Sequence, residues 1–193
     1  MSDQKVLWLD LETTGFNEWE NAIVQLSCIM EYEGKEIDRL NLFIRPFKGA
    51  MVSKSALEVT GFTMDELRND PKFIPYDEAF NIFIEFLSKH IDRFDWNQKL
   101  ILGGKNIGFD IRFLREFFIR NDDEYYGSWF LYPHIDVETL IAETILFDDF
   151  RLLDYKLETI CDAFDIEIKP HDSMSDIEAT RKLYWAIKGV DCE

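Results

Sequence analysis

No run of about 18 apolar residues occurs in the chain, and its first residues, Met-Ser-Asp-Gln-Lys, lack the apolar core of a secretory leader. Neither a membrane-spanning helix nor export by such a leader is expected, and the sequence reads as a soluble cytoplasmic protein. Cysteine is scarce: Cys28, Cys161 and Cys192 are odd in number, far apart and in no Cys-x-x-Cys arrangement. A disulfide framework is thereby excluded, and free thiols in a reducing cytosol are expected. Basic residues are also few, 21 Lys and Arg against 38 Asp and Glu, for a net charge of −17. Such a body offers no long cationic surface to phosphate backbones. It does not forbid chemistry at a single phosphate, because bound metal ions can supply positive charge there. Internal repeats, low-complexity stretches and linkers are missing too, and only the ends and 147–153 look loose.

What is present suits one domain. With 47% hydrophobic and 15% aromatic residues, 193 residues can bury a full core, expected over 1–188 with a short tail at 189–193. Residues 5–10, 22–32 and 36–45 read as three consecutive strands, the last alternating through Leu40, Leu42 and Ile44 after a turn at Gly34. Ser55-x-x-Glu58 and Thr63-x-x-Glu66 are capping-box patterns that predict short helices around Val59-Thr60-Gly61-Phe62. Pro75 suits a first helical position, and Phe80, Phe83, Ile84, Leu87 and Ile91 follow at helical spacing. Strand-then-helix patterns appear at 100–104 with 109–120 and at 134–137 with 138–146, and further helices near 155–165 and 175–187. A meander followed by alternating strands and helices predicts an α/β fold with a mixed central sheet flanked by helices.

Three strings carry chemistry. Asp10-Leu-Glu12-Thr13-Thr14-Gly15 closes the apolar run at 6–9, and strand alternation puts Asp10 and Glu12 on one face. Two carboxylates so placed repel unless a cation lies between them, so a divalent metal site is the economical reading. Thr13, Thr14 and Gly15 add hydroxyls, backbone N–H groups and a sharp turn able to hold a sugar and phosphate. Asn106-Ile-Gly-Phe-Asp110 enters a helix directly after a strand, where α/β sheets gather functional groups. In His171-Asp-Ser-Met-Ser-Asp176, the capping pattern Ser175-x-x-Glu178 predicts Asp176 in a first helical turn and His171 on the loop before it. A rigid acid beside a mobile imidazole suits a metal ligand and a general base. Two short cationic clusters, Arg45, Lys48, Lys54 and Lys105, Arg112, Arg115, are candidates for phosphate contact.

In this order the strings resemble the three motifs of the DEDDh family of 3′-to-5′ exonucleases. This is the DnaQ-like group that includes the proofreading subunit of bacterial DNA polymerase III, ribonuclease T and oligoribonuclease. Asp10 and Glu12 stand at the first motif's acids, Asp110 at the second's, and His171 and Asp176 at the third's. Ala56-Leu-Glu-Val-Thr-Gly-Phe-Thr63 resembles the family segment that touches the terminal nucleotide, with Thr60 where relatives usually have His; further on, Ser173 stands where Ala is commoner, a change expected to matter little. The resemblance implies a ribonuclease-H-like fold and phosphodiester hydrolysis with two Mg²⁺ or Mn²⁺ ions about 4 Å apart. It also implies ion ligation by Asp10, Glu12, Asp110 and Asp176, with His171 as base. Backbone N–H groups near Thr13 and Thr14 would meet the terminal 3′-OH, with Gly15 also at the substrate. Leu57, Val59, Phe62 and Phe109 would stack beside the last bases, and Asn106 would support them by hydrogen bonding.

The implied substrate is a single-stranded or frayed nucleic acid 3′ end, DNA favoured, releasing nucleoside monophosphates in proofreading or repair. An RNA-trimming or oligoribonucleotide-degrading enzyme stands as the alternative, and a non-catalytic module docking a polymerase as a different class. A DNA polymerase or another replication or repair protein is left open as partner.

Overall fold

β1 (Val6–Thr13), β2 (Ile23–Tyr32) and β3 (Lys35–Ile44) form the expected antiparallel meander. They belong to a computed structural model that describes residues 4–147, 151–169 and 172–190. His171 and Cys192 lie outside those residues, as do 148–150 of the segment expected to be loose. After the meander come α1 (Lys54–Thr60), α2 (Met64–Asn69), β4 (Phe73–Ile74), α3 (Tyr76–His90), β5 (Ile101–Gly104) and α4 (Ile107–Arg120). The remainder is α5 (Tyr126–Trp129), β6 (Ile135–Asp136), α6 (Val137–Phe147), α7 (Leu157–Ala163) and α8 (Ser173–Ile187). The sheet order is β4-β3-β2-β1-β5-β6, with β1 antiparallel to β2 and parallel to β5. This is the predicted mixed sheet flanked by helices.

β1 shows how alternation builds two cores. Leu7, Leu9 and Leu11 point into a cluster with Phe83, Phe113 and Phe117 of α3 and α4. Trp8 points the other way, into a cluster with Ile29, Val137, Ile141, Ile160, Ile177 and Leu183. Asp10 and Glu12 continue the Trp8 face beyond the apolar part of the strand. Neighbouring β5 can approach Trp8 because Gly103 carries no side chain: a Cβ there would lie 2.7 Å from the indole.

α8 is fixed across β2 by a buried polar clamp. Arg181 donates through Nε to Glu31 and through a terminal nitrogen to the Gly34 carbonyl at 2.7 Å, while Trp185 Nε1 donates to Glu31 at 3.0 Å. Glu31 and Arg181 are 2% and 5% exposed, so neither charge is offset by water and each depends on the other.

Local signals fared unevenly. Thr63 and Glu66 make the expected reciprocal capping box of α2. α1 is instead capped by Ser53, whose hydroxyl accepts from Ala56 N, so Ser55 lies inside the helix. α8 is capped by Asp172 rather than Ser175, whose hydroxyl accepts from Lys169 N. In both cases a second oxygen-bearing side chain stands two or three residues upstream, and the chain uses the earlier one. Two-residue β4 and four-residue α5 are too short for any periodicity to reveal.

Candidate active site

Strand lengths make the site. β5 pairs with β1 only along Val6–Trp8, so β1 runs on without a neighbour at that edge. The unpaired N–H of Leu11 is taken by Asp110 Oδ1 at 3.1 Å. Asp110 can reach it because α4 begins three residues after β5 ends and puts Asp110 in its first turn. Asn106 enters that helix in the left-handed region, φ 53°, and its own N–H donates to Asp136 Oδ1 at 3.0 Å. Asp136, which also accepts from Glu138 N, was not singled out from sequence; the tight turn between strand and helix was the available signal.

From the far end of the sequence, α8 contributes the remaining acid. Its first residue, Ser173, is fully buried and donates its hydroxyl to the Asp10 carbonyl at 3.2 Å. Ser173 was expected to matter little in place of Ala; it ties helix to strand. One carboxylate oxygen each from Asp10, Glu12 and Asp176 then lies within 4.8 Å of the others. Burial first, and Asp176 next, push Asp10 up to about 7 against the opposing Ser173 hydroxyl and Lys105 ammonium. Burial, then Asp10 and Asp176, push Glu12 up to about 8. Asp110 is raised well above the usual carboxylate range, by burial and then Asp10. Four acids are thus brought together at a cost that a cation would relieve, and hard oxygen donors in this number suit Mg²⁺ or Mn²⁺.

Beside them lies a mostly apolar cavity of about 230 Å³, lined by Leu11, Glu12, Thr13, Gly15, Phe16, Ser55, Ala56, Val59, Thr60 and Phe109. Thr13, Gly15, Val59 and Phe109 therefore stand where a terminal nucleotide would be sought. Thr14 does not join them. It is 1% exposed, its N–H donates to Ala22 O at 2.9 Å, and its hydroxyl donates to Met51 O at 2.7 Å. Leu57 and Phe62 also turn aside, packing on Val24, Leu67 and Phe73. Phe62 meets Phe73 edge-on at 5.3 Å, beneath Lys72. Asn106 lies outside the cavity lining as well.

Phe16, on the cavity wall and 79% exposed, was missed. Sequence alone gave no sign that the residue after Gly15 faces outward. Gly15 itself is required, since a Cβ would lie 2.5 Å from Asn21 Oδ1.

Of the cations, Lys105 acts on Asp10 and approaches Glu138 at 3.9 Å. Arg112 lies over Phe109 and Arg115 over Tyr126. Arg45 donates through one terminal nitrogen to the Phe73 carbonyl at 3.1 Å, and Lys54 faces Glu58 at 3.6 Å.

A family model described as Exonuclease, of the RNase T type, matches residues 7–184. The chain belongs to this exonuclease family. A relative in Halalkalibacterium halodurans, a DNA polymerase III of PolC type, is 30% identical over 95% of this chain. The chain spans 11% of that relative's length. Among solved structures, exonuclease I from Methylocaldum szegediense superposes with a TM-score of 0.80 at 18% identity, covering 96% of this chain and 40% of that one. An E. coli exonuclease I–ssDNA complex with zinc bound gives 0.79 at 19% identity, covering 97% and 41%. These superpositions establish the shared ribonuclease-H-like fold. Among the described residues no helix of this exonuclease-family chain is long and apolar enough to cross a membrane, and Cys28 and Cys161 are free thiols.

Proposed function

We propose that the protein is a metal-dependent 3′-to-5′ exonuclease that removes nucleoside monophosphates from single-stranded or frayed DNA ends. The observation that carries the reading is the convergence of Asp10, Glu12 and Asp176 within 4.8 Å, with Asp110 buried beside them, at the mouth of an apolar cavity. Asp10, Glu12, Asp110 and Asp176 are the residues that would hold Mg²⁺ or Mn²⁺. When bound, such ions acidify a water and neutralise charge on the departing 3′-oxygen.

The protein's own groups do the rest. The Leu11 N–H and the Ser173 hydroxyl hold the acidic cluster in place before any ligand arrives. His171, assigned from the third motif, takes the proton of the attacking water. Thr13 and Gly15 offer backbone to the terminal sugar, and Val59, Phe109 and Phe16 wall the base with apolar surface, which reads no sequence. DNA is favoured because the relatives are named as DNA polymerase III and the superposed exonuclease I is bound to ssDNA. The domain, over 1–188, is proposed to work at the service of a polymerase or another replication or repair protein in the cytoplasm.

The test is Mg²⁺-dependent release of mononucleotides from end-labelled DNA and RNA of one sequence, with a 3′-phosphate version of each. Release from the DNA 3′-OH end, blocked by the phosphate, is expected. Faster cutting of RNA would transfer the assignment to RNA trimming, and absence of release with tight polymerase binding would make the protein a docking module.

A further inference from the structure

Trp19 is 68% exposed, yet the turn that carries it is tied by several hydrogen bonds. Asn21 N and Glu20 N both donate to Asn17 O, at 2.7 and 3.1 Å, closing a tight turn. Asn17 N donates back to Asn21 Oδ1 at 2.9 Å, Trp19 N to Asn17 Oδ1 at 3.1 Å, and Met51 N to Glu20 O at 2.8 Å. Arg120 then donates to the Trp19 carbonyl. Every one of these bonds uses main chain or another side chain, leaving the indole itself uninvolved. An indole left in water on a fixed backbone has little ordering entropy still to lose when something stacks on it.

Its surroundings say what would stack. Phe16, three residues earlier, is a wall of the terminal cavity, so the turn leads outward from the site. Arg120 also lies 3.8 Å over the Phe47 ring, which brings Lys48, the next residue, to the same end. Of the nearby acids, Glu18 faces Arg112 at 3.9 Å and Glu116 pairs with Arg120 at 2.9 Å, while Glu20 accepts from the neutral Asn17 amide at 3.0 Å. Repulsion of a phosphate chain is thereby reduced along this one path on a body of net charge −17.

We infer that Trp19 is a stacking platform for a base upstream of the last two nucleotides, and so sets how strongly strands longer than the reacting end are held. The inference rests on the exonuclease reading. A grip built from stacking does not depend on salt as phosphate contacts do.

The experiment measures binding of dithymidylate and octathymidylate in Ca²⁺ and hydrolysis of both in Mg²⁺, for wild type, Trp19→Ala and Trp19→Phe. Stacking is worth enough that Trp19→Ala should weaken octamer binding and raise its KM by roughly 5- to 100-fold. The loss should be confined to the octamer, leave kcat unaltered, persist between about 50 and 200 mM salt, and be largely restored by Phe. Equal octamer binding by wild type and Trp19→Ala would overturn the platform. Active wild type with that result would leave the exonuclease reading standing. Inactive wild type that still needs Trp19 for octamer binding would overturn the enzyme and keep the platform.

Discussion

The four acids differ in how they are held, and this sets what each substitution does. Asp10→Asn or Asp176→Asn removes a charge from a cluster whose members lie within 4.8 Å, so hydrolysis at millimolar Mg²⁺ should be abolished while the fold survives. Turnover near wild type in either variant would take that residue out of the site. Without metal, Asp10 and Glu12 titrate near 7 and 8, above the usual carboxylate range. A raised folded-state pKa means the native state binds protons more tightly than the unfolded chain. Metal-free stability should therefore be greatest below pH about 4 in this respect and fall as pH rises toward 8. Melting temperatures in chelator at pH 5 and pH 8 check this, with Asp10→Asn expected to flatten the fall and Mg²⁺ to reverse it. A stability that rises over the same range would contradict the assignment. His171→Ala should lower kcat about a hundredfold or more, since general-base catalysis contributes roughly 10²–10⁴, and remove the rise of rate from acid to neutral pH.

Among the elements, α8 matters most, because it carries Asp176 and is held through Arg181 and Glu31 two turns beyond its contact with Asp10. Arg181→Met strands a carboxylate that is 2% exposed and should cost about 3–5 kcal/mol, read from urea denaturation. Glu31→Leu with Arg181→Met should recover most of that. If the single variant is as stable as wild type, the clamp does not hold the helix. The site's frame was largely legible from sequence. Alternation put Asp10 and Glu12 on one face, and strand-to-helix junctions located Asp110. What stayed hidden were side chains whose roles depend on neighbours far along the chain. Thr14 looked available until Ala22 and Met51 took its polar groups, and Leu57 and Phe62 looked like base contacts until the cluster around Phe73 absorbed them. Ser173 looked like a neutral replacement because nothing local shows that it opposes Asp10. Short-range patterns also chose between adjacent caps poorly, as at Ser53 and Asp172.

For the molecule as a whole, the net charge of −17 governs how long a strand stays. Each further phosphate brought onto this surface meets repulsion, and cations such as Arg112 and Arg120 already face Glu18 and Glu116. The isolated protein should let go after one or a few cuts, which an unlabelled trap added after the first turnover would reveal. Long uninterrupted degradation in the trap, or a salt slope equivalent to about six phosphate contacts, would mean a basic groove exists. The contact from Ser173 to Asp10 has a consequence of another kind, because it joins residues 163 positions apart. During synthesis the first motif leaves the ribosome well before its partner acid is made. Nascent chains and fragments ending before Ser173 therefore carry Asp10 and Glu12 without the third carboxylate. The complete acid cluster is thereby withheld from unfinished copies until α8 has docked.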